Sequence, residues 1–140
     1  MTKASRPPFR VLAIVAPVIV AGAAAIAAAV VSYARTDHTT GALVSVGCLF
    51  VVMVLVERFP VPVEGIDAGG VTLGLVLAVA TIVLFGWEAG LFVAAGGATV
   101  THLLGHRPPL RIAYNGAMFS LAAAITGLAL RVIHGDSLLA

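Results

Sequence analysis

Five stretches of this chain run for 17 to 24 residues almost without an ionisable side chain, and that pattern limits what it can fold into. They are Val11 to Ala34, Thr39 to Val56, Ala68 to Trp87, Ala89 to Gly105 (interrupted only by His102) and Ile112 to Leu130. A bilayer core of about 30 Å is crossed by about 20 apolar residues of helix, with a range of roughly 17–25. Four runs meet that length easily, and the fourth in order is marginal. The separators suit turns. Arg35 to His38 is polar, and Pro60 and Pro62 each lack a backbone donor and disfavour helix in the preceding residue. Gly65 to Gly70 extends that break, Gly86 to Gly90 makes a tight turn around Glu88, and Arg107 to Arg111 contains two prolines.

Composition points the same way. The chain is 61% hydrophobic and 10% charged over 140 residues, against about a quarter charged in an ordinary soluble domain. So short a chain cannot hide that much apolar surface in one water-excluding core, because small domains leave much of their surface exposed. The expectation is an all-α polytopic membrane bundle of about five helices, occupying residues 1–140 as a single integral membrane domain. The third and fourth runs could instead pair as a re-entrant hairpin. The eight basic residues are scattered at run ends rather than clustered, which excludes a nucleic-acid surface and suits a topology signal. The first run follows Lys3, Arg6 and Arg10 in the manner of a signal peptide, but it is long for one and is taken as the first membrane helix.

Loop charges set the expected orientation. If all five runs cross, Lys3, Arg6, Arg10, Arg58, Arg107 and Arg111 lie on one side and Arg35 and Arg131 on the other. Basic residues accumulate on the cytoplasmic side, so the N-terminus is expected there, in the cell membrane. Five crossings place the C-terminus outside, and a re-entrant pair preserves that parity. Helices in lipid associate through small residues and polar contacts. Ala21, Ala25 and Ala29 offer such a face on the first helix, Gly70 and Gly74 on the third, and Gly96 with Gly97 on the fourth.

Few residues could carry chemistry. Asn115 is the strongest polar insertion in an apolar run. Its amide needs a partner in hydrocarbon, either another helix or a ligand. Tyr114 and Ser120 lie near it, and these three form the expected ligand-binding set. His102 and His106, at i and i+4, would share a face if the helix continued that far and would then make half a metal site. No metalloprotease glutamate accompanies them, so interfacial capping is the simpler role, and no metal or other cofactor is expected. Glu57, Glu64, Asp67 and Glu88 sit at run ends within reach of water. Cys48, the single cysteine, suits apolar packing. No nucleophile elbow, zinc-protease helix, phosphate-binding glycine loop or paired-cysteine motif occurs, which argues against an enzyme.

Two segments are distinctive beyond hydropathy: Glu57-Arg58-Phe59-Pro60-Val61 and Arg107-Pro108-Pro109-Leu110-Arg111-Ile112-Ala113-Tyr114-Asn115, separated by a glycine-rich hydrophobic pair. With them the region from Val11 to Gly135 resembles the multi-pass N-terminal membrane region of actinobacterial signalling proteins. In those, similar segments precede cytoplasmic HD-type phosphohydrolase or diguanylate cyclase domains. The resemblance implies a sensory or ligand-binding membrane module without catalysis of its own. A cytoplasmic output domain does not suit a C-terminus left outside by five crossings, so either a further helix follows in a longer chain or this is a stand-alone relative. Two other functions are compatible with the residues. One is a small accessory subunit, acting by packing against other membrane subunits or a second copy. The other is the substrate-binding component of a transporter, which predicts a deep polar cavity open to the outside and which a helix broken near Gly96-Gly97 would fit.

Overall fold

The computed structural model describes residues 9–59 and 73–134, with the side chains of residues 9, 10 and 134 left aside. Every element among the described residues is helical: α1 (Phe9–Ala34), α2 (Thr40–Arg58), α3 (Gly74–Phe85), α4 (Trp87–Leu104) and α5 (Pro109–His134). Gly65, Gly70, Glu64 and Asp67, singled out above, fall outside the described residues, as do Lys3 and Arg6. Among the described residues, four helical stretches are long and apolar enough to cross a membrane: 11–34, 40–58, 74–104 and 109–133.

Local chemistry explains the boundaries. Thr39 caps α2, its hydroxyl accepting from the Ala42 amide at 3.2 Å. Pro109 opens α5, where its missing N–H costs nothing and its fixed φ is already helical. This starts the helix three residues before the apolar run does. Inside α1, Pro17 leaves the Ala13 carbonyl without its usual partner. The tight turn expected over Gly86 to Gly90 shrinks to Gly86 alone. Gly86 adopts φ 88° and ψ 166°, ends α3 and begins α4, and so leaves Trp87 and Glu88 inside the first turn of α4.

The stretch 74–104 is therefore not one rod. Glycine contacts show α3 lying back along α4: Gly90 faces Ile82, while Gly74 and Gly97 both face Met53 of α2. Partners equidistant from Gly86 meet, which only an antiparallel hairpin allows. Five full-length crossings are not established among the described residues. At 12 residues α3 is about 18 Å long, short of a bilayer core.

α4 is the central helix, with Ala89, Gly90, Leu91, Val93, Ala94, Ala95, Gly97 and Ala98 all buried. α5 runs antiparallel to it, Gly127 against Trp87 and Gly116 against Thr99. α1 lies parallel to α5, with Gly22 on Ala117 and Ala29 clustered with Ala123. The seam of α1 keeps Ala25 and Ala29 of the expected alanine face but takes Gly22 in place of Ala21. Ala21 is exposed, whereas Val15, Val18, Gly22, Ala25, Ala29 and Ser32 turn inward. Their alternating three- and four-residue spacing is the 3.5-residue repeat of helices packed at a shallow angle. On α2, Met53 is the buried residue, and Phe50 and Met53 fill the space left by Gly96 and Gly97. α4 passes through those two glycines unbroken. The outer faces carry large apolar side chains such as Ile14, Val20, Val44, Leu75, Leu84, Ile125 and Val132, as lipid requires.

Candidate ligand cavity at the hairpin end

This topology gives the bundle two unlike ends. The starts of α1, α3 and α5 and the ends of α2 and α4 share one, with Glu57, Arg58, His106, Arg107 and Arg111 near it. This is the basic end. The Gly86 turn, the end of α1, the start of α2 and the end of α5 share the other, the hairpin end.

The expected ligand set lies nearer the basic end and is spread over two faces of α5. Asn115 Nδ2 donates to His102 Nε2 at 2.6 Å, joining α5 to α4. Asn115 thus finds another helix, one of the two partners its amide called for. Ser120 is fully buried, and its hydroxyl donates back to the Gly116 carbonyl at 2.8 Å. Tyr114 is half-buried beside them. His106 does not join His102 on a helical face: α4 ends at Leu104, and His106 is exposed with φ 50°. No group of three or more His, Cys, Asp or Glu able to hold a metal occurs among the described residues. Interhelical hydrogen bonds in membranes are worth about 0.6 kcal/mol on average and rarely much more. Asn115→Leu is accordingly expected to lower the unfolding free energy of the detergent-solubilised chain by about 1 kcal/mol. Measurement of the unfolding midpoint by far-UV circular dichroism checks this.

At the hairpin end the chain brings together residues that lie far apart in sequence. A cavity of about 350 Å³ is walled by Tyr33 from the end of α1, Asp37 and His38 from the α1–α2 connection, Glu88 from α4 and Arg131 from α5. Ala42 and the last residues of α3 complete it. Its polar wall is ordered by local bonds. The Ser32 hydroxyl donates to Glu88 Oε1 at 2.6 Å, tying α1 to the start of α4. Glu88 also sits where the unpaired amides and dipole of α4 favour negative charge. The His38 ring stacks on Tyr33 with centroids 3.7 Å apart, and His38 Nε2–H donates to the Tyr33 carbonyl at 2.9 Å. Tyr33 in turn meets Phe92 edge-on at 5.4 Å.

Arg131 also borders a second, apolar groove of about 230 Å³ with Trp87, Ala124, Gly127 and Leu128. Trp87 packs over Gly127, and its indole N–H is buried with no hydrogen-bond partner among the described residues. Two further surface cavities lie between α1 and α5 and beside the end of α1, and none of the four has Tyr114, Asn115 or Ser120 in its wall. The hairpin-end residues escape sequence reasoning because they lie at the ends of apolar runs, where a polar residue ordinarily marks water. Comparison with family models, curated proteins and solved structures finds no match to this chain.

Proposed function

We propose that this chain is a non-catalytic, multi-pass module of the cell membrane that binds a small or lipophilic molecule between its helices, as the receptive part of a sensor. The cavity at the hairpin end carries this reading. Its volume falls within the range of small-molecule pockets, and its mixed aromatic and polar wall is of the kind that orients a ligand. Arg58, Arg107 and Arg111 gather at the opposite end, which suits a cytoplasmic face, so the N-terminus lies inside and the cavity opens outward. In this arrangement α3 and α4 enter from the cytoplasmic side and return to it as a pair. The likeness of the Glu57–Val61 and Arg107–Asn115 segments to actinobacterial signalling proteins supports the sensory role.

The test uses the full chain in lipid nanodiscs, exposed to fractionated small molecules and lipids from native cells. Trp87, the single tryptophan, borders the neighbouring groove and serves as the reporter. At least one fraction is expected to change its fluorescence and raise the thermal midpoint, and Ala42→Phe, which fills the cavity from α2, is expected to abolish both effects. Silence from every fraction, or an unchanged response in Ala42→Phe, overturns the assignment.

One observation favours a second reading, that of a subunit packing against another membrane helix. α2 buries only 6% of its apolar window, and Gly41 and Gly47 face open space. Co-purification with a larger assembly from native membrane would distinguish it.

A further inference from the structure

The charges lining the hairpin-end cavity specify more than its location. Asp37, Glu88 and Arg131 all border the same space of about 350 Å³. Yet among the described residues no ion pair joins the guanidinium to either carboxylate. Glu88 is held by the Ser32 hydroxyl instead, and Asp37 and Arg131 stand with no polar partner among the described residues. Opposite charges that share a cavity without meeting set up a dipolar field across it, which water screens in part because Asp37 and Arg131 are exposed. Resting on the reading above that this cavity receives a ligand, we propose that its occupant is a zwitterion, carrying an anionic oxygen group for Arg131 and an ammonium for Asp37 and Glu88.

Other charge types fit less well. A simple cation satisfies the carboxylates but faces Arg131 across the same space, and a simple anion meets the reverse penalty. A neutral molecule offers neither the carboxylates nor the guanidinium a partner of opposite charge, and against part-buried Glu88 it displaces water without replacing its hydrogen bonds. A zwitterion aligned against the field answers both ends at once. A planar guanidinium pairs with carboxylate or phosphate oxygens through two parallel N–H donors. The stacked Tyr33–His38 pair, fixed by the His38 bond to the Tyr33 carbonyl, gives the ammonium an aromatic wall.

Two sources supply this chemistry. One is a water-borne amino acid entering from outside. The other is the ethanolamine headgroup of a phospholipid. Arg131 borders both the polar cavity and the apolar groove beside Trp87, so a lipid could lay its chain in the groove and its headgroup in the cavity.

The experiment titrates the full chain in phosphatidylglycerol nanodiscs with glycine, β-alanine, 4-aminobutyrate and 6-aminohexanoate, using butyrate and butylamine as single-charge controls. A parallel arm replaces part of the phosphatidylglycerol, whose anionic headgroup is the control, with phosphatidylethanolamine or phosphatidylcholine. The readouts are Trp87 fluorescence and thermal midpoint. The expected result is that one amino-acid length, or the ethanolamine lipid, binds at least about tenfold more tightly than the single-charge or headgroup controls. Arg131→Gln and the double change Asp37→Asn with Glu88→Gln are each expected to remove that advantage, while Arg131→Lys keeps a measurable part of it. Monodisperse elution and unchanged helical circular dichroism establish that each variant is folded. If butylamine binds as well as any zwitterion, or if Arg131→Gln leaves the preference intact, the proposal is overturned. If none of the zwitterions or lipids binds while a native fraction still does, the ligand class is wrong and the cavity stands. If the native fractions are silent too, the cavity reading falls with it.

Discussion

Gly22→Val is expected to detach α1 from α5 and to cost about 3 kcal/mol of stability, the upper part of the usual range for overpacking. A Cβ built at Gly22 collides with Ala117, meeting its Cβ and Cα and coming within 2.9 Å of its carbonyl oxygen. Two of those atoms are backbone of α5, itself packed along the central helix, so no flexible side chain can move aside. The helices must separate, and with them go the seam through Ala25 and Ala29 and the Ser32–Glu88 bond at its far end. Lipid offers α1 no hydrophobic reason to return, because acyl chains are as apolar as the helix. Gly41→Ala and Gly47→Ala are the controls, since an added Cβ there meets nothing within 4 Å. They should leave stability unchanged or raise it slightly, alanine being the better helix former by roughly 0.5–1 kcal/mol. Denaturant titration in mixed micelles, followed by circular dichroism, gives the midpoints. Equal midpoints for Gly22→Val and Gly47→Ala would contradict the close crossing.

Hydropathy alone placed most of the fold, because length without charge is the physical requirement for crossing a bilayer. The ends of α1, α2 and α5 fall close to the apolar runs, and the differences come from capping rather than hydropathy: Thr39 outside α2 and Pro109 at the start of α5. The seam of α1 was harder to place. Its run is so rich in alanine that several faces look equally small, and only the neighbour decides that Gly22 rather than Ala21 turns inward. Asn115 was legible as an amide in need of a partner, but its sequence could not say whether that partner would be protein or ligand. His102 lies thirteen residues away across a turn. The hairpin-end cavity was illegible for a different reason. Tyr33, His38, Glu88 and Arg131 come from four separate run ends, and each alone is an ordinary interfacial residue. Only the packing of α1, α4 and α5 beside the Gly86 turn gathers them.

The return of α3 along α4 depends on Gly86, and Gly86→Val is expected to open the hairpin. Its φ of 88° with ψ of 166° lies in a region that only glycine enters readily. Forcing a β-branched residue there costs about 1–3 kcal/mol. An added Cβ would also come within 3.1 Å of Glu88 Oε2, disturbing the carboxylate that Ser32 holds. Relief is close at hand, since residues 74–104 could straighten into one helix of about 46 Å by letting residue 86 turn helical. A straight helix separates Ala78 from Ala94, which share a buried cluster with Met53 and Val93 in the hairpin. It also reverses the side on which α5 begins, and it dismantles the cavity by carrying Glu88 and Arg131, which α4–α5 packing keeps together, away from Tyr33. Cysteines introduced as Ala78→Cys and Ala94→Cys, in a Cys48→Ala background, report the change through a short thiol crosslinker. Efficient crosslinking is expected with Gly86 in place and little with Gly86→Val, accompanied by loss of ligand-dependent Trp87 fluorescence. Should Gly86→Val crosslink as readily as the parent and keep its thermal midpoint, the left-handed turn would not be what folds α3 against α4. The short contacts of Gly74, Gly90 and Gly97 would then suffice to hold the hairpin closed.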